Sequence, residues 1–104
     1  MQVATTETVA GREIVETLGL VRGSAIRARH VGADITAALR NLVGGAVPEY
    51  ERLIGASREQ ATDRMIAQAQ ALGADAVVSV RMTTSMIQQG AAEVLVYGTA
   101  VRLA

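Results

Sequence analysis

Glu93-Val94-Leu95-Val96-Tyr97-Gly98-Thr99-Ala100-Val101-Arg102-Leu103 alternates like a strand, yet both of its faces are apolar. Its odd positions include Leu95, Tyr97, Val101 and Leu103, and its even positions include Val94, Val96, Gly98 and Ala100. Period-two alternation rich in β-branched residues is the mark of a strand. In a two-layer domain only one face of a sheet meets helix, so the other must be covered by something else. A neighbouring copy of the chain is the simplest cover.

Reading back from this strand, Ala76-Val77-Val78-Ser79-Val80-Arg81-Met82 is a second one. Strict alternation puts Ala76, Val78, Val80 and Met82 on one side and Val77, Ser79, Arg81 and Thr83 on the other. The polar run from Thr84 to Ala92, which contains Gly90, reads as a loop between the two. Before them, Pro48 occupies the favoured first position of a helix, and Glu49 and Glu51 in the first turn complement its dipole. At 100° per residue, Tyr50, Leu53, Ile54, Ser57, Ala61, Met65 and Leu72 share a face. The small Ser57 and Ala61 in mid-stripe allow close approach to a sheet. Gly73 ends the helix, whose span from Pro48 to Leu72 is about 37 Å at ~1.5 Å per residue. Ile66 falls on the polar side, as a lone exposed residue or a subunit contact.

Further back, Ile35, Ala38, Leu39 and Leu42 follow the helical template, with Asp34 as N-cap and Gly44-Gly45 as the stop, so a short helix is expected over about 34–43. The stretch Glu13 to Val21 is β-rich and continues past Gly19 and Gly23 through Ala25 and Ile26, as a long strand that is bent or bulged. Gln2 to Thr6 is a candidate short edge strand paired with it. The expectation is a single α+β domain over residues 1–104. It is a two-layer arrangement in which an antiparallel sheet is backed by a short and a long helix.

The composition narrows what such a domain does. Ten Arg balance ten Asp and Glu, and the chain has no Lys, Cys, Trp or Phe. A net charge of zero lacks the electrostatic signature of a nucleic-acid or membrane-surface binder. Without Cys there is no disulfide, thiolate metal site or cysteine nucleophile. Half of the residues are apolar but only 2% are aromatic, so the core is built of small side chains and gains from oligomerisation. The opening residues show neither a basic nor an apolar leader pattern, and no apolar run reaches the roughly 18 residues of a membrane span. A cytoplasmic location is expected.

With the segments placed, the chain resembles the YbjQ-like family of small bacterial proteins labelled "putative heavy-metal-binding". The matching residues are Asn41-Leu42-Val43-Gly44-Gly45, Tyr50 and Ser57-Arg58. They continue through Ala71-Leu72-Gly73-Ala74-Asp75-Ala76-Val77-Val78 and Tyr97-Gly98-Thr99-Ala100-Val101. The likeness runs from about Thr5 to Arg102. It implies an α+β subunit of the dodecin-like sort and a ring-shaped homo-oligomer, a pentamer. Through the label it also implies a metal ion as cofactor.

The residues support that label poorly. His30 is the one imidazole, and Asp34 four residues later is its nearest companion, while Arg27 and Arg29 on either side repel a cation. Met82 and Met86 share a strand parity, which is commonly packing. An anion site is chemically more coherent: Arg22, Arg27, Arg29 and His30 lie close together, and guanidinium groups bind carboxylate or phosphate bidentately. Arg58, on the flank of the apolar helix stripe, can pair with a carboxylate or contribute to a ligand site. Catalysis has no visible basis, since no Ser sits in a nucleophile elbow and no spacing selects an acid–base pair. Gly44, Gly45, Tyr50, Gly73, Asp75 and Gly98 read as structural: turns, a helix end, a strand entry, and in Gly98 a close backbone approach or a bulge. The working expectation is a homo-oligomeric binding or scaffold module. A metal-binding protein is the alternative, as is an enzyme or sensor for a small anion at subunit clefts.

Overall fold

The computed structural model describes residues 1–28, 48–88 and 91–104, with side chains at 1–26, 55–86 and 91–104. Within them lie β1 (Gln2–Val3), β2 (Ile14–Ala28), α1 (Pro48–Ala71), β3 (Ala76–Gln88) and β4 (Ala91–Leu103). The expected short helix over 34–43 lies outside the described residues. The four strands form one sheet in the order β1-β3-β4-β2. The antiparallel partners are β4 with β2 and with β3, whereas β1 runs parallel to β3. The sheet is therefore mixed. The amino-terminal strand joins β3 instead of the expected β2, because β4 already occupies the inner side of β2.

The sheet is also longer than the apolar pattern suggested. Residues 84–88, read as loop, belong to β3, and β4 begins at Ala91. Thr83 to Ser85 pair with Leu95 to Glu93, so ladder hydrogen bonds hold a stretch that carries little apolar signal.

A bulge explains a second departure. Between Val78 and Arg81 the β3–β4 register shifts, and Ser79 has φ 54°. The extra residue reverses the parity of the strand. Val77 and Val80, three apart, thus both face α1, while Ala76 and Val78 face the opposite side. Gly98 lies across from this irregularity. A Cβ there would meet Val77 Cγ1 at 2.8 Å and the Val78 carbonyl oxygen at 2.9 Å.

Two cores result. The larger sits between α1 and the sheet: Ala61, Met65 and Ala69 against Val21, Ala25, Val77, Val80, Val94, Val96 and Ala100. Ser57 continues the buried i, i+4 row of α1. Ala69 takes the place expected for Leu72, which lies beyond the last α-helical turn and is exposed. Ile66 is half-buried against this core, so it is neither a lone surface residue nor left on a polar face. The smaller core, on the far face, joins Val9 and the half-buried Ile14 to Ala76, Val78, Val101 and Leu103. At that end the chain's own amino-terminal arm covers the second face of β4, a role expected of a neighbouring copy. The arm is held at the β3 edge: Ala4 N–H donates to Val77 O (2.9 Å), and Ser79 N–H donates to Thr6 O (2.8 Å).

Helix α1 closes on Gly73 at φ 77°. Gly73 N–H donates to Gln70 O (3.0 Å) and Ala74 N–H to Ala69 O (3.1 Å), the two bonds of a Schellman cap. The Asp75 carboxylate then accepts from Leu103 N–H at 2.9 Å and fixes the entry into β3. Gly73→Ala forces a Cβ into a left-handed backbone, so its unfolding free energy is expected to fall by about 1 kcal/mol. A urea titration followed by circular dichroism measures this, and an unchanged midpoint would contradict the cap geometry.

Candidate functional site

The described residues form an elongated body, with a radius of gyration of 17.1 Å against about 13 Å for a compact domain of this length. The long axis of 54 Å follows from strands of 13 to 15 residues at about 3.3 Å per residue. Helix α1 packs mainly over β2 and β4 and barely reaches β3. Met82 and Met86 lie on the helix side of β3, opposite Val96 and Ala92, and are 55% and 61% exposed. On the other face, Leu20 and Ile26 of β2 are 67% and 56% exposed, and Tyr97 is also exposed.

β2 forms one margin of the sheet, so its outer N–H and C=O groups have no strand partner. Two side chains of α1 supply partners. Gln68 Oε1 accepts from Arg22 N–H at 2.7 Å, and one Arg64 guanidinium nitrogen donates to the Ser24 carbonyl oxygen. Their i, i+4 spacing on the helix matches alternate residues along the strand, and the pair blunts an edge that would otherwise recruit another strand. Gly23 makes this possible. A Cβ there would collide with backbone atoms of Ala61 and Met65, so the helix rides directly on the strand.

Around this edge opens a cleft of about 560 Å³ lined by Arg22, Gly23, Ser24, Arg64, Gln68, Glu93 and Leu95. Among the described residues the one ion pair is Arg102 with Glu16, at 3.4 Å. The guanidiniums of Arg22 and Arg64 and the carboxylate of Glu93 therefore share the cleft without a direct ion pair between them. Along β2 the lining runs from Arg22 beside Gln68, through Ser24 held by Arg64, to Glu93 at the rung of Ile26, so donors occupy one end and the middle and the carboxylate the other end.

Arg29, His30, Asp34, Gly44 and Gly45 fall outside the described residues. Arg27 and Tyr50 belong to β2 and α1, and their side chains lie outside the described residues. Arg58 is exposed on α1, where its carbonyl accepts from Thr62 Oγ1 at 2.8 Å, and it does not line the cleft. Gly73, Asp75 and Gly98 occupy the helix end, strand entry and bulge site already described. Arg22 belonged to the arginine-rich stretch noted from sequence. Arg64, Gln68 and Glu93 join it only through the fold, and the i, i+4 pairing of Arg64 with Gln68 was the one signal available.

For a heavy metal the donor set is unsuitable. The chain has no Cys and one His, and no three of His, Cys, Asp or Glu converge among the described residues. Soft and borderline metals favour thiolate and imidazole ligands. No helix among the described residues is long and apolar enough to cross a membrane.

A family described as "putative heavy-metal-binding" matches residues 1–104. A UPF0145 protein of Halorubrum lacusprofundi is 59% identical over 103 residues, covering 99% of both chains. One from Methanosarcina acetivorans is 53% identical over 103 residues, covering 99% of this chain and 97% of the relative. A UPF0145 protein of Thermus thermophilus is 52% identical over 101 residues, covering 97% and 89%. Among solved structures, a DUF74-family protein of unknown function from Pediococcus pentosaceus superposes with a TM-score of 0.66. It covers 100% of this chain and 98% of its own at 15% identity, a likeness of fold alone.

Proposed function

The chain belongs to the YbjQ family described as "putative heavy-metal-binding", and within that family we propose that it works as a homo-oligomeric binding or scaffold module of the cytoplasm, assembled as a pentamer. The observation that carries this reading is the stretch of sheet that no described element covers. Leu20 and Ile26 on one face, and Met82 and Met86 on the other, leave apolar side chains in water that a monomer of this size has no reason to expose together. The outer edge of β3 adds to it. The amino-terminal arm pairs with β3 only as far as Val80, and among the described residues nothing caps the uncharged stretch Met82–Gln88. An uncapped, uncharged strand edge is a surface for another strand, whereas the β2 edge is closed by Gln68 and Arg64.

Burying these side chains between copies removes apolar area from water at about 25 cal/mol per Å². Sedimentation equilibrium at micromolar concentration is expected to give a multiple of 10.8 kDa. The double variant Leu20→Glu/Ile26→Glu is expected to shift the distribution to smaller species by at least tenfold in association constant, since charge replaces apolar contact. A folded wild-type monomer would overturn the reading.

A further inference from the structure

We propose that the cleft at the β2 edge is a binding site for a small molecule with a carboxylate at one end and a cationic or neutral group at the other. This rests on the reading of the chain as a binding module and adds to it the place and the chemistry of the ligand. The donor end is built by the fold. Gln68 is oriented by accepting from Arg22 N–H, so its amide nitrogen remains free to donate. Arg64 is held by Ser24 O through one nitrogen and keeps further N–H groups. The Arg22 guanidinium has no partner among the described residues, because its hydrogen bond is made by its backbone. Two guanidiniums and an amide within one cleft form a receptor for a planar oxyanion.

The opposite end sets the selectivity. Arg22 pairs with Tyr97, Ser24 with Leu95 and Ile26 with Glu93. Glu93 therefore stands two same-face rungs from Arg22, roughly 13 Å along the strand at ~3.3 Å per residue. At that distance it does not cancel the anion-binding end, but it meets the far end of an elongated ligand. Half-buried Leu95 lies between and offers an apolar wall to an alkyl body. A second negative group on the ligand is repelled there and a positive one attracted.

Four linear probes of matched length separate these terms: 6-aminohexanoate, hexanoate, adipate and hexylamine, each titrated by calorimetry against the assembled protein. The expected affinity order is 6-aminohexanoate above hexanoate above adipate, with hexylamine not bound. Arg22→Gln preserves the backbone bond to Gln68 and is expected to weaken 6-aminohexanoate about tenfold or more. Glu93→Gln is expected to reduce the preference for 6-aminohexanoate over adipate by about tenfold. Binding of adipate as tight as that of 6-aminohexanoate, an unaltered Kd in Arg22→Gln, or no binding of any probe would each overturn the proposal. Sedimentation of the same samples distinguishes the two readings. Intact oligomers that fail to bind end the site alone, and dissociated wild-type chains end the assembly reading.

Discussion

Gly23→Ala is expected to lower the unfolding free energy by about 3 kcal/mol or more, at or beyond the upper end of ordinary overpacking. The added methyl would meet the Ala61 carbonyl oxygen and the Met65 amide nitrogen, and Arg64 Cβ at 2.8 Å. Two of these three atoms are backbone, so no rotamer change makes room. The helix must lift, and lifting it loosens Ser57, Ala61, Met65 and Ala69 together, all fully buried. Moving α1 also draws Gln68 and Arg64 away from the β2 edge, leaving Arg22 N–H and Ser24 O without their partners. Domains are stable by only about 5–15 kcal/mol, so the loss is readable as a large fall in the urea midpoint. An unchanged midpoint would mean that helix and strand are farther apart than described.

Met65→Ala is the second large effect. The side chain is fully buried at the centre of the principal core. Truncating a buried Met costs about 2–5 kcal/mol through lost transfer energy and the cavity left behind. The neighbours Ala61, Ala69 and Ala25 are too small to fill the space, so a value of about 3 kcal/mol or above is expected. Met82→Ala provides the contrast. In an isolated subunit that exposed residue is expected to change stability by under about 0.5 kcal/mol. A larger loss at Met82, dependent on protein concentration, would place it in a contact between copies. Equal effects at Met65 and Met82 in dilute monomer would contradict the position of the helix.

Much of this architecture was readable from local pattern. Pro48 and Gly73 bracket α1, and the small residues Ser57 and Ala61 announce the close approach that Gly23 completes. β4 follows its alternation along its whole length. What escaped the sequence has identifiable causes. Parity arguments assume an unbroken period of two, and Ser79 breaks it with no glycine or proline in β3 itself, the mark being Gly98 on the partner strand. Residues 84–88 hold only the short apolar pair Met86-Ile87 among Thr84, Ser85 and Gln88, so an apolar criterion passes over a strand held by backbone pairing with β4. The arm from Ala4 to Val9 earns its place only against β3 and β4, and nothing in its own composition foretells that. The cleft is harder still, since its residues come from β2, α1 and β4. Arginine clustering pointed to Arg27, Arg29 and His30, whose side chains lie outside the described residues. The cleft gathers Arg22, Arg64 and Glu93, which only the helix–strand crossing and the strand register bring together.

The strand order β1-β3-β4-β2 also governs when this protein can exist. β4 is central, and it is the last of the four strands to leave the ribosome. Until it emerges, β2 has no strand beside it, and Ile14 waits for Leu103. During synthesis, then, β2 and the exposed side chains Leu20 and Ile26 are carried unpaired on a nascent chain. The most local pairing open to the sheet is the hairpin of β3 and β4, and closure onto β2 follows as a long-range, slow event. Copies that meet before that closure present an unpaired β2 to one another, an aggregation hazard of folding set by the strand order alone.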